Sequence, residues 1–168
     1  MIQCVELDKK YFDSQAKMLW DILYENMSVI APFDKSYDEV FQEWYESVKC
    51  GLTKEQRKIL LFQYGEELIG FFQYYVNDDI FMIEEIQIMP KFQVTYGVIG
   101  VLYKQLVSVI PKDTIYISAY VDNRNKTSQR IMNKLGMSQV RVEDNGLEYY
   151  RGYYEVAQEY MKCPSKKV

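Results

Sequence analysis

A chain of 168 residues is one domain's worth of sequence. Apolar residues make up 48% and charged residues 26%, close to globular averages, which argues against wholesale disorder and against a membrane protein. Twenty Lys and Arg stand against 24 Asp and Glu, for a formal net charge of −4. That is the wrong sign for a surface built to follow a phosphate backbone, so no nucleic-acid partner is expected. Histidine is absent, which removes Ser-His-Asp and Cys-His catalysis and every imidazole metal site. Cys4, Cys50 and Cys163 are far apart and odd in number, with no Cys-x-x-Cys pair. They suit neither zinc nor dithiol chemistry, and the expected home is a reducing cytoplasm. The start, Met1-Ile-Gln-Cys-Val-Glu-Leu-Asp, lacks the basic and apolar regions of a signal peptide. No apolar run approaches the ~20 residues of a membrane span, so no membrane partner is expected either.

Ile2 to Leu7 alternates and reads as an opening strand. Asp13 is placed to cap a helix whose Ala16, Leu19, Trp20, Leu23 and Met27 share one face. Ser28 to Asp34 reads as a loop. Ser36 and Glu39 have capping-box spacing and open a second helix, with Val40, Phe41, Trp44, Tyr45 and Val48 on one face and an end near Gly51. Trp20 and Trp44 read as core. The period then changes to two. Lys58 to Tyr64 and Leu68 to Val76 form a hairpin around Gly65-Glu-Glu, and Ile80 to Met89 follows as a long strand stopped by Pro90.

Residues 97–110 carry Val98, Val101, Leu102, Leu106 and Val109 at helical spacing. Thr114 to Val121 is a strand with Ile115, Ile117, Ala119 and Val121 alternating against polar and tyrosine positions. Residues 126–135 form a short helix capped by Asn125, closed by Gly136, with Ile131 and Leu135 as its buried pair. Met137 to Glu143 and Leu147 to Tyr154 form a hairpin around Asp144-Asn-Gly. In the last strand Tyr149 and Tyr153 fall on one face, Tyr150 and Tyr154 on the other. The order β α α β β β α β α β β predicts an α/β (α+β) mixed sheet of about seven strands with helices on both faces. The strands at 80–89 and 114–121 should be parallel and joined by a right-handed crossover. One domain is expected over 1–160, with a flexible tail at 161–168.

Two segments carry chemistry. The first is Ile86-Gln-Ile-Met-Pro90 running through Lys-Phe-Gln-Val-Thr-Tyr-Gly-Val into a helix. A strand–loop–helix unit gathers backbone N–H groups at a helix N-terminus, which suits phosphate; it is also an ordinary connection. The second is Asn125-Lys-Thr-Ser-Gln-Arg-Ile-Met-Asn-Lys-Leu-Gly136, by itself a well-capped short helix.

Together the two segments resemble the signature motifs of the GNAT superfamily of acyl-CoA-dependent N-acyltransferases. The first family motif is a strand ending Val-x-Pro, then x-x-(Arg/Gln)-x-x-Gly-x-(Gly/Ala) and a helix; Ile88-Met-Pro90 and Gln93 match it in order and spacing. The second is Asn-x-x-(Ala/Ser), a short helix and Lys-Leu-Gly-Phe; Asn125, Ser128, Lys134-Leu-Gly136 and Met137 match it. The resemblance implies an N-acetyltransferase that moves acetyl from acetyl-CoA, as cosubstrate, to a primary amine of a small molecule or peptide. A catalytically impaired CoA-binding or regulatory module is the alternative, and a homodimer is compatible with the strand edges. The pantetheine arm would pair with the backbone of Ile86 and Ile88. The pyrophosphate would follow Gln93 onto the amides of Val94, Thr95, Tyr96, Gly97 and Val98, and Asn125 would face the arm. The family's glycine positions fall here on Tyr96 and Val98, and its proton-donating tyrosine on Met132. Glu84 and Glu85 are the candidate catalytic bases, Glu84 the first choice because the resemblance puts an acid at or near its position, with Glu85 as its control. Adjacent on one strand, they must face opposite ways, Glu84 with Ile86 and Ile88.

Overall fold

The computed structural model describes residues 1–54, 56–93 and 97–163. In chain order these form β1 (Ile2–Glu6), α1 (Phe12–Ile30), α2 (Tyr37–Thr53), β2 (Arg57–Tyr64), β3 (Glu67–Asn77) and β4 (Ile80–Ile88). Then follow α3 (Val98–Val109), β5 (Tyr116–Asp122), α4 (Lys126–Lys134), β6 (Ser138–Val142), β7 (Leu147–Tyr153) and α5 (Tyr154–Lys162). The strands make a seven-stranded mixed sheet in the order β1-β2-β3-β4-β5-β7-β6, and β4 and β5 are parallel, as the crossover requires. The chain divides into two compact units, Met1–Tyr74 with Glu85–Tyr96, and Tyr75–Glu84 with Gly97–Val168.

In the first unit β1 pairs antiparallel with β2, from Ile2↔Tyr64 to Glu6↔Leu60. Ile59, Leu60, Leu61 and Phe62 are all buried, the mark of a strand covered on both faces. Ile59 and Leu61 join Leu19, Trp20, Leu23, Val48 and Leu52 in one cluster with α1 and α2. Trp20 lies in the middle of that cluster, against the rings of Phe33, Phe41 and Trp44 at 5.7, 6.2 and 5.5 Å. The capping box of α2 forms as spaced: Glu39 N–H donates to Ser36 Oγ, and Ser36 N–H donates to the Glu39 carboxylate.

Two expectations for α1 are corrected. Asp13 is not its cap. The helix begins one residue earlier, after a short 3₁₀ turn capped by Asp8. Asp13 instead accepts from Tyr45 Oη at 2.7 Å and Lys49 Nζ at 2.9 Å, tying α1 to α2. Ser28, Val29 and Ile30 are helical rather than loop. The stop comes at Ala31, which leaves helical geometry (φ −143°, ψ 80°) because the Pro32 ring disfavours it there.

In the second unit β7 lies between β5 and β6, in register from Tyr116↔Tyr153 to Asp122↔Leu147. Gly146, at φ +85°, makes the β6–β7 turn. Val98, Leu102 and Leu106 of α3 are buried as their spacing predicts, and Tyr103 joins them. On β5, Ile117, Ala119 and Val121 are buried, whereas Ile115 precedes the strand and is 48% exposed. The end of α4 is a Schellman motif: Met137 N–H donates to Met132 O, and Gly136 N–H donates to Asn133 O. Its buried residues are Met132 and Leu135, in place of the expected Ile131 and Leu135.

The sequence reading has no counterpart to α5. Tyr154 opens this helix instead of ending β7, its N–H donating to Ile115 O at 2.8 Å. Tyr154, Ala157 and Met161 are buried at helical spacing. Met161 and Lys162 fall in the stretch assigned to a tail.

Candidate functional site

Side chains alternate along β4, so Glu85 and Gln87 face one way and Glu84, Ile86 and Ile88 the other. The two glutamates therefore diverge as the sequence requires, and both are half-buried. The backbone alternates too. Met89 N–H donates to Ile69 O of β3 at 2.9 Å, and the Gln87 carbonyl lies against Gly70. The polar groups of Ile86 and Ile88 accordingly turn to the opposite edge. The β4–β5 register runs from Ile80↔Tyr116 to Ile83↔Ala119, while β4 itself continues through Glu84 to Ile88.

At the end of β4 the first unit assembles a polar cluster in which only some members were foreseen. Asn26, on the penultimate turn of α1, donates through Nδ2 to Ile88 O and to Gln87 Oε1, both at 3.0 Å. Gln87 Nε2 donates to Glu85 Oε2 at 2.7 Å. Gln93 Nε2 donates to Ile88 O at 2.9 Å and to Asn26 Oδ1 at 3.2 Å. Of the residues picked from sequence, the cluster thus joins Glu85, Ile88 and Gln93. Gln93 reaches the Ile88 carbonyl through its side-chain amide. Asn26 and Gln87 were missed. Asn26 reads as a polar interruption of an apolar helix face, and its partner is 61 positions away in sequence.

In the second unit α3 opens at Gly97, which takes the left-handed conformation at φ +66°, ψ 24°. A side chain there is strained, and Gly97 is exposed. Val98 is buried, so only its backbone could serve a ligand. Asn125 caps α4, its Oδ1 accepting from Ser128 N–H at 3.0 Å. Met132, 2% exposed, belongs to the core. Val94, Thr95 and Tyr96, expected to hold the pyrophosphate, lie outside the described residues. Tyr149 and Tyr150 occupy opposite faces of β7: Tyr149 Oη donates to buried Ser118 Oγ, and Tyr150 Oη donates to Glu148 Oε2, each at 3.0 Å.

Among solved structures, the PaiA N-acetyltransferase of Thermoplasma acidophilum, determined with coenzyme A, superposes with a TM-score of 0.73. It is 13% identical, over 92% of this chain and 99% of that one. The chain has the GNAT fold. A Desulfovibrio desulfuricans protein assigned to the GNAT family of acetyltransferases matches it at TM-score 0.68 and 14% identity, over 92% of this chain and 99% of the other. Spermidine N-acetyltransferase from Vibrio cholerae, solved with CoA and spermine, matches at TM-score 0.64 and 14% identity, over 93% and 97%. No protein-family model and no curated protein matches the sequence. Within the GNAT fold of this chain, the segment that resembles the first motif spans the end of β4 and the turn at Pro90 to the start of α3, and the one that resembles the second spans α4.

Proposed function

We propose that this protein is an N-acetyltransferase that moves the acetyl group of acetyl-CoA directly to a primary amine. The observation that carries the reading is the GNAT arrangement of a parallel β4–β5 pair in which β4 runs on past Ile83 and leads, through Pro90, to a helix starting at an exposed left-handed glycine. Both of the N-acetyltransferases named above, from Thermoplasma acidophilum and Vibrio cholerae, were solved with coenzyme A, which supports acetyl-CoA as cosubstrate.

In this reading the backbone of Ile86 and Ile88 meets the pantetheine arm. Gln93, Val94, Thr95, Tyr96, Gly97 and Val98 form the segment that takes the pyrophosphate, with the α3 dipole favouring its charge. Asn125 faces the arm from α4. The amine nitrogen attacks the thioester carbonyl carbon, the C–S bond breaks, and CoA leaves as the thiolate. The nitrogen gives up its proton to a β4 carboxylate, and solvent protonates the thiolate, because Met132 has no proton to donate. Glu85 is taken as the acceptor because the Gln87 amide donates to it, which favours the ionised form and fixes one carboxylate oxygen. The acceptor amine belongs to a small molecule or peptide. The location is the cytoplasm, consistent with exposed free thiols at Cys50 and Cys163, and the active species is either monomer or homodimer.

Calorimetric titration with acetyl-CoA, followed by CoA-thiol release with a panel of primary amines, tests the proposal. Saturable binding and amine-dependent thiol release are expected. Binding without release from any amine would replace the enzyme with a CoA-binding module. No binding at millimolar acetyl-CoA would end both readings.

A further inference from the structure

Three side-chain amides and one backbone carbonyl at the end of β4 form a chain whose hydrogen-bond direction is fixed. The Ile88 carbonyl can only accept. Its two donors, Asn26 Nδ2 and Gln93 Nε2, must therefore present their NH₂ ends to it, which settles the orientation of both amides. With Nδ2 of Asn26 also on Gln87 Oε1, the Gln87 amide is fixed in turn and has only its NH₂ to offer Glu85. A reversal at any link would set oxygen against oxygen or N–H against N–H. Gln87 is 5% exposed, so water does not readily substitute for a lost partner.

We propose that Asn26 and Gln87 are positioning residues that hold the Glu85 carboxylate, as an acceptor in one orientation, for the amine proton. The inference rests on the acetyltransferase reading given above. It adds a helix residue, Asn26 of α1, to a reaction otherwise carried by the strand. A carboxylate that accepts a fixed N–H is already aimed, so the proton transfer costs less reorganisation. Without Asn26 the Gln87 Oε1 loses its donor, and the amide, held only at Glu85, swings about its side-chain torsions and no longer fixes where the carboxylate points.

The test is a cycle of variants assayed with one accepted amine. Asn26→Asp is nearly isosteric, but it cannot donate to Ile88 O or Gln87 Oε1. Gln87→Met keeps the bulk and removes both amide atoms. Each is expected to lower kcat about 10²-fold, the scale of a misplaced reacting group, with KM for acetyl-CoA within about twofold of wild type. In a Glu85→Gln background each should lower kcat by less than about twofold, since the residue they act through has lost its function. An equal loss in both backgrounds, or a rise in KM for acetyl-CoA with kcat kept, would overturn the proposal. The first outcome would mean that Asn26 only stiffens the fold, and the second that it serves the cofactor.

The chain can also be read without activity. In ¹⁵N spectra of the free protein, Glu85→Ala should shift the side-chain NH₂ signals of both Gln87 and Asn26. An unmoved Asn26 signal would overturn the relay. A protein that transfers acetyl to no amine would end the acetyltransferase reading while these signals still decide whether the chain exists.

Discussion

A Cβ atom at Gly70 would stand 2.4 Å from the carbonyl oxygen of Gln87 and 3.0 Å from the Cα of Ile88. Both are backbone atoms of β4, so the collision cannot be relieved by a rotamer change. Gly70 therefore fixes how closely β3 passes the strand end that carries the polar cluster. Gly70→Ala is expected to destabilise the protein by about 1–3 kcal/mol, the range for overpacking a tight site. A urea titration reads it directly, and a midpoint within error of wild type would show that β4 yields.

The two glutamates of β4 make a paired test. Glu85→Gln is expected to lower acetyl transfer about 10²–10⁴-fold, the usual effect of removing a positioned base. Glu84→Gln, on the face shared with Ile86 and Ile88, should lower it far less. Steady-state turnover of both variants with one amine decides between them, and the reverse ranking would assign the proton to Glu84.

Position 132 would take a tyrosine if proton donation to the thiolate were the missing element. Met132 is 2% exposed, however, and its carbonyl anchors the Schellman turn. Met132→Tyr is expected to cost about 1–3 kcal/mol through overpacking rather than to raise turnover. Thermal melting and thiol release on the same preparation separate the two effects.

Burial pushes the Cys4 thiol up to about 11, while Cys50 and Cys163 are exposed. At pH 8 roughly one Cys4 in 10³ is thiolate, and the thiolate is the reactive form. Cys50 and Cys163 should therefore alkylate with iodoacetamide long before Cys4, as peptide mass mapping would reveal. The sign of the linkage follows. Folded Cys4 holds its proton more tightly than the unfolded chain does, so its stabilising contribution is complete below the ordinary thiol range. That contribution is lost as pH rises toward 11. Cys4→Ala should flatten the alkaline fall in stability, and an unchanged slope would assign the fall to other groups.

The sequence made most of the frame legible because apolar period changes sharply at the element boundaries. The capping box at Ser36, the hairpin turn at Gly146 and the helix stop at Gly136 all lie where local chemistry puts them. The helix α5 was legible in principle: Tyr154, Ala157 and Met161 have helical spacing, but the run of tyrosines before them reads as strand and hides the change of period. The site was legible in its strand and in Gln93 of the turn that follows it. Glu84, Glu85, Ile86 and Ile88 follow from alternation along β4, whereas Asn26 enters through folding alone. A lone asparagine on an apolar helix face has no local signal that distinguishes a buried partner from a surface position.

The chain's two tryptophans, Trp20 and Trp44, sit with their rings 5.5 Å apart in the aromatic cluster between α1 and α2. The rings of Tyr24, Phe33, Tyr37 and Phe41, which also pack on Trp20, belong to the same unit. Indole emission is thus a local label that nature has placed in one unit only, while far-ultraviolet dichroism sums over both. Coincident melts by the two signals would mean that the units unfold as one cooperative system. Separated melts would give the stability of the unit bearing Asn26 and Glu85 without any added probe.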